Sequence, residues 1–169
     1  MPYLTVSDTY IGTNNNSVRL GHIDGIEVAV KTVSNDFEIQ TAEIMSDLCI
    51  SPKYMGRAED EKGQLLLATE YLNPSSTLCD IKYIDRRQYN QIIQLVEKIY
   101  SNGHIHHDLN PSNILFSKNR FWIVDWGDAS INYDYDEDDK DSWFNDFQEA
   151  VNDLCTDIKD KLDWEPKPC

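Results

Sequence analysis

Between residues 3 and 71 the apolar positions come in short runs: Val18 and Leu20, then Ile26, Val28 and Val30, then Leu65, Leu66 and Leu67, separated by Asn, Gly and Asp. Brief β-branched or aliphatic runs bounded by turn-forming residues predict strands. One helix interrupts them. It is expected to begin after Ser34 and Asn35, both good N-caps, and to run to about Cys49, with Phe37, Thr41, Ile44, Met45 and Leu48 as its apolar stripe and Pro52 as its stop. After a break at residues 69–74 the period changes to that of a helix, with Tyr89, Ile92, Ile93, Val96, Ile99 and Tyr100 on one face and Gly103 as the C-terminal stop. Two strands are predicted at 114–116 and 121–124. A final helix over about 141–162 carries Phe144, Phe147, Val151, Leu154, Ile158 and Leu162 as the stripe that docks onto the second half.

Composition narrows the function classes. The chain has 169 residues, 40% of them apolar and 11% aromatic, enough for one good core or two small lobes. Its formal charge of −15 repels nucleic-acid phosphates and anionic lipid, so neither nucleic acid nor membrane is an expected partner. Residues 134–141 contain six acidic side chains and one basic one and read as a solvated loop. Cys49, Cys79, Cys155 and Cys169 form no paired spacing, which argues against a disulfide framework or a zinc site and for a reducing compartment. Residues 1–12 lack a signal-peptide pattern and no apolar run has bilayer length, so a cytoplasmic location is expected.

The candidate chemistry lies in His106-His107-Asp108-Leu109-Asn110-Pro111-Ser112-Asn113, followed twelve residues after Asn113 by Asp125-Trp126-Gly127. The two segments are similar to the catalytic and metal-binding loops of the protein-kinase superfamily, and the phosphoryl transfer that this resemblance implies needs one carboxylate near the acceptor hydroxyl and separate oxygen ligands for magnesium. Asp108 suits the first task, and Asn113 with Asp125 the second. A metal cluster of His104, His106 and His107 is the weaker alternative, because no thiol or further histidine is nearby.

The resemblance to protein kinases extends upstream. Val28-Ala29-Val30-Lys31 resembles the strand that supplies the phosphate-binding lysine, and Thr69-Glu70-Tyr71-Leu72 resembles the hinge. The resemblance runs in order from about Gly12 to Gly127. It implies an α+β, two-lobed kinase-like fold: an ATP-binding lobe over residues 1–72 with a small antiparallel sheet and one helix, a shortened helical lobe over 73–163, and a loose tail over 164–169. It implies ATP and Mg²⁺ as cofactors, with Lys31 on the α- and β-phosphates, Gly12, Val18 and Ala29 around the nucleotide, and backbone groups of Glu70 and Leu72 on the adenine edge. Lys31 needs a carboxylate from the first helix. Glu38 lies beside the apolar stripe and fourteen residues before Pro52, a spacing similar to the RIO-type and aminoglycoside-kinase-like branches; Glu43, nearly opposite on the helix, is the second choice.

Several positions depart from the pattern. Gly12 alone stands where the family's loop has three glycines, His107 replaces an arginine that answers activation-loop phosphorylation, and Asn110 replaces the lysine usual in serine/threonine kinases. No Ala-Pro-Glu follows Gly127, so the plan looks like the minimal effector-type kinases of pathogens and some viral kinases. The resemblance therefore implies a minimal serine/threonine kinase with a protein substrate or an activating protein partner. A pseudokinase-like binding module is the first alternative. The second is a small-molecule kinase of the aminoglycoside or choline type, to which Val124-Asp125-Trp126-Gly127-Asp128-Ala129 is similar.

Overall fold

The computed structural model describes residues 4–11, 18–131 and 142–164, and the chain forms two compact units, Met1–Asn73 and Pro74–Cys169. In the first, strands β1 (Leu4–Tyr10), β2 (Val18–Ile23), β3 (Ile26–Val33), β4 (Tyr54–Glu59) and β5 (Leu65–Glu70) form one antiparallel sheet in the order β1-β2-β3-β5-β4. β2 and β3 are joined by Asp24-Gly25, both with positive φ, the backbone that the twist of a two-residue hairpin requires. β1 and β4 are not among the runs picked out above, and they are the two edges. An edge strand pairs on one side only, so its sequence carries less of the apolar pattern.

Alternation along β3 sends Val28 and Val30 to one face and Ala29, Lys31 and Val33 to the other. Val28 and Val30 are fully buried with Ile23, Leu66 and Ala68, backed by Leu4, Val6, Met55 and Ala58. Gly21 of β2 lets the strands close on this cluster, because a Cβ there would lie 2.6 Å from Val30 Cγ2 and 2.7 Å from the Thr5 carbonyl. The opposite face is covered by helix α1 (Asp36–Asp47), where Val33, Ile39, Ala42 and Leu67 pack together.

Asn35 caps α1 by accepting from the Glu38 N–H at 3.2 Å. The helix is turned relative to the predicted stripe. Its buried residues are Glu38, Ile39, Thr41, Ala42 and Met45, whereas Phe37, Ile44 and Leu48 are only half-buried. The buried side therefore includes a carboxylate that apolar periodicity does not count. The helix also stops before Pro52 has any effect, at Cys49, whose φ of 54° lets the Cys49 and Ile50 N–H groups return to the Ser46 and Met45 carbonyls.

The second unit contains helices α2 (Arg86–Ser101) and α3 (Ser142–Ile158) and a small antiparallel sheet of β6 (Ser76–Thr77), β7 (Ile114–Ser117) and β8 (Arg120–Ile123), in that order. Asp85 and Gln88 make a capping box at the start of α2, each accepting from the other's main-chain N–H at 2.7 and 3.0 Å. Gly103, at φ 72°, ends it with the same paired return bonds, Gly103 N–H to Tyr100 and His104 N–H to Ile99. α2 buries Tyr89, Ile92, Val96, Ile99 and Tyr100, and α3 buries Phe147, Val151, Leu154 and Ile158. The helices meet where Tyr100 faces Phe147 edge-on at 6.2 Å and the Tyr89 hydroxyl reaches Cys155 Sγ at 3.1 Å. Burying each such large apolar side chain is worth about 1.5–3 kcal/mol, enough to order both helices.

α3 is shorter than predicted. It gives way at Lys159 to a 3-10 turn, because Lys161 Nζ donates to the Cys79 and Ile81 carbonyls at 2.7 and 2.9 Å and Leu162 bridges to Ile84. Phe144, assigned to the apolar stripe, is 43% exposed. Trp164, assigned to the tail, packs edge-on against Tyr89 at 5.6 Å. The acidic run at 134–141, Gly12 and residues 165–169 lie outside the described residues. No helix among the described residues is long and apolar enough to cross a membrane.

Candidate active site

In the first unit, Lys31 lies on β3 between Val18 of β2 and Leu67 of β5, on the face that α1 covers. Its Nζ reaches Glu38 Oε1 at 2.5 Å, with the Glu38 side chain 7% exposed and that of Lys31 23%. A buried carboxylate loses its hydration and a nearby cation offsets that loss, and here strand and helix supply the two ends. Glu43 does not take this place. It is exposed, and its charge acts elsewhere, on Tyr54, whose phenol is pushed up first by burial and then by Glu43.

Ala29 shares the face of Lys31, between Leu20 and Thr69, and Val18 is half-buried directly opposite Lys31. The Ile11 N–H donates to the Val18 carbonyl at 2.9 Å. Glu70 ends β5 with its N–H on the Lys53 carbonyl at 2.8 Å, and Leu72 is buried.

In the second unit, the loop before β7 is built around His106, which is fully buried and packs on Trp126 at 4.5 Å. The Asp108 N–H points at His106 Nδ1, 3.3 Å away, so Nδ1 is the acceptor and Nε2 carries the proton donated to the Val124 carbonyl at 3.0 Å. One neutral ring thus ties the Asp108 main chain to the residue before Asp125. Burial pushes the His106 pKa below its ordinary value, opposed in part by the Val124 carbonyl and by the charges of Asp108 and Asp125.

Asp108 is exposed, and amides hold both of its carboxylate oxygens. Asn110 Nδ2 donates to Oδ1 at 3.0 Å and Asn113 Nδ2 to Oδ2 at 3.0 Å, and both also reach the Asp108 main-chain carbonyl, at 3.2 and 2.9 Å. Asn113 is 8% exposed, and its side-chain carbonyl takes no hydrogen bond among the described residues. The Val124 N–H donates to the Asn113 main-chain carbonyl at 2.9 Å, which brings the start of the Asp125 turn alongside Asn113. Asp125 is exposed at φ 67° and His107 at φ 62°, strained backbone for residues with a Cβ. The chain then returns to pair Ser130 with Ile105, and the Ser130 hydroxyl meets His107 Nε2 at 2.8 Å.

The structure thus brings Lys31 to Glu38 within the first unit, and Asp108, Asn110 and Asn113 together within the second. Asn110 and Ser130 were not on the list of candidates read from the sequence. Asn110 stood out there only as a replaced lysine, and Ser130 gave no signal, since its place is set by a strand pairing across 25 residues. An unpartnered buried amide oxygen beside an exposed carboxylate suits a hard cation such as Mg²⁺. Among the described residues no group of three or more His, Cys, Asp or Glu side chains could hold a metal, so the histidine cluster is not formed.

Residues 65–142, less than half of the chain, match the RIO domain family. Over 82 residues the chain is 37% identical to the eIF-2-alpha kinase GCN2 of Schizosaccharomyces pombe, covering 48% of this chain and 5% of that protein. In structure it is similar to the Cydia pomonella granulovirus kinase PK-1, with a TM-score of 0.61 at 18% identity over 76% of this chain and 52% of that one. It is also similar to the Rad53 kinase domain in its structure with SCD2, with a TM-score of 0.67 at 19% identity over 90% of this chain and 62% of that one. The chain therefore spans only a part of each of these relatives. Its fold is kinase-like, as the sequence motifs indicated.

Proposed function

On the premise of a protein-kinase-like fold, we propose that this chain is an ATP- and Mg²⁺-dependent phosphotransferase that modifies serine or threonine hydroxyls of a protein, with a protein partner raising its activity. The observation that carries the reading is the Asp108–Asn113 pair: a buried amide orients the carboxylate, and its own carbonyl oxygen takes no hydrogen bond among the described residues. Such an oxygen is costly to bury unless a ligand satisfies it.

Each residue then has a task. Lys31 binds the α- and β-phosphates, and Glu38 holds its ammonium in place. Val18 and Ala29 flank the base, and the backbone at Glu70 and Leu72 meets the adenine edge. Asn113 and Asp125 hold magnesium, which when bound offsets charge on the phosphates. Asp108 orients the acceptor hydroxyl and takes its proton as the oxygen bonds to the γ-phosphorus and the bond to the β–γ bridging oxygen breaks. Each Asp108 oxygen has a lone pair beyond the one its amide uses, so the grip does not block that step.

The test is transfer of label from ATP with magnesium, with and without candidate partners. Wild type should label the acceptor while Asp108→Asn and Asp125→Ala do not; equal labelling by all three would refute the proposal. A second reading, a binding module without turnover, draws on the single glycine between Ile11 and Val18. Mg-ATP that binds only the folded state must raise the melting temperature, so an absent shift in thermal unfolding favours the second reading.

A further inference from the structure

We infer that Asn110 is the positioning residue for Asp108, a neutral side chain that fixes the carboxylate toward an acceptor hydroxyl. The inference rests on the reading of Asp108 given under the proposed function. The two ends of Asn110 have separate tasks. Its Oδ1 accepts from the Ser112 N–H at 2.9 Å and from the Ser112 hydroxyl, which caps the 3-10 turn Pro111–Asn113. Its Nδ2 donates to Asp108 Oδ1 at 3.0 Å and to the Asp108 carbonyl at 3.2 Å.

Because Oδ1 is anchored twice to Ser112, the plane of the amide is fixed before Nδ2 reaches Asp108. Asn113 makes the matching pair of bonds from the other side, to Oδ2 and the same carbonyl. Each amide thus binds the carboxylate and its backbone together, and any rotation of the Asp108 side chain breaks bonds at both oxygens.

The donors are uncharged, and that matters. No lysine or arginine occurs between His106 and Asn113, and Asp108 has no ion pair among the described residues. A cation here would orient the carboxylate and also cancel part of its charge. Neutral amides orient it and leave the charge facing the acceptor.

Asn110→Ser separates the two tasks. Serine is as good an N-cap as asparagine, but its hydroxyl, facing Ser112 as the cap acceptor, has no second arm for Asp108. Asn110→Ser should keep the melting temperature of wild type while kcat falls about 10- to 100-fold with KM for ATP unchanged, the effect of a misplaced reacting group. Asn110→Ala should show the same fall in kcat together with a lower melting temperature. Wild-type kcat in Asn110→Ser would overturn the inference, since capping would then be the whole role. A second readout does not depend on turnover. In the ¹⁵N-labelled chain, Asp108→Ala should shift the side-chain amide signals of both Asn110 and Asn113. If wild type transfers no phosphate, the proposed function fails, and this spectrum still decides the inference: an unmoved Asn110 amide pair overturns it.

Discussion

The two units hold their key carboxylates by opposite means. Glu38 is buried and sits on a helix, and it is met by the cation Lys31 from a strand. Asp108 is exposed and sits in a loop, and it is met by the neutral amides of Asn110 and Asn113. Solvation accounts for the difference. A carboxylate taken out of water loses hydration that an opposite charge can replace, whereas one facing water keeps its hydration and needs only direction. The supports differ accordingly. The Lys31–Glu38 pair depends on α1 packing through Ile39 and Ala42 onto Val33 and Leu67. The Asp108 loop instead depends on its own hydrogen bonds and on the buried ring of His106.

The sharpest way to break this contrast is His106→Ala. It leaves a buried cavity, with the Asp108 N–H and the Val124 carbonyl unpaired, and should cost about 3 kcal/mol or more in urea unfolding. A loss below about 1 kcal/mol would mean that the loop stands without the ring. For the first unit, Glu38→Ala should lower kcat/KM for phosphotransfer about 100-fold, or about 2.7 kcal/mol of transition-state stabilisation, while Glu43→Ala stays near wild type. Equal effects of the two variants would remove Glu38 from the site.

Gly21→Ala tests the packing beneath the sheet. The added methyl group meets Val30 and the Thr5 carbonyl and should destabilise by about 1–3 kcal/mol, seen as a lower urea midpoint. A smaller effect is expected from pH. Burial lowers the pKa of both His106 and His104, so below their ordinary 6.5 the unfolded chain binds more protons than the folded one. Their contribution is complete above about pH 6.5 and is lost as the pH falls from there through the folded pKa values. Urea midpoints should therefore be lower at about pH 5.5 than at about pH 7.5, and His106→Ala should reduce that difference.

The smallest effect compares the helix ends. α2 closes on Gly103 and α1 on Cys49, by the same pattern of bonds. Cys49→Gly relieves left-handed strain, partly offset by greater freedom in the unfolded chain, and should stabilise by about 0.5–1 kcal/mol in thermal unfolding. No change would mean that Cys49 carries little strain.

The legible parts of the fold were those with local causes. Asn35 and Gly103 mark helix ends because capping involves groups only a few residues away, and α2 shows its stripe because one whole face is buried. Glu38 could be preferred over Glu43 from its place beside the predicted stripe together with its spacing to Pro52, which resembles the RIO-type and aminoglycoside-kinase-like branches. β1 and β4 were missed because edge strands show half the pattern, and the rotation of α1 was missed because Glu38 belongs to its buried side. The end of α3 was misplaced because Lys161 is held by carbonyls some 80 residues earlier in the chain.

By itself the amino-acid sequence determined the chemical inventory and its order: a lysine on a strand, a glutamate on the next helix, then Asp108, Asn113 and Asp125 in motifs of fixed spacing. It could do so because these roles depend on residue type and on local backbone geometry. Only the tertiary structure decided which groups touch. The grip of Asn110 and Asn113 on Asp108 needs the left-handed turn at His107, and that turn is held where His106 enters the core against Val124 and Trp126. Those contacts join residues far apart in the chain, and burial of the assembled unit is what makes them worth forming.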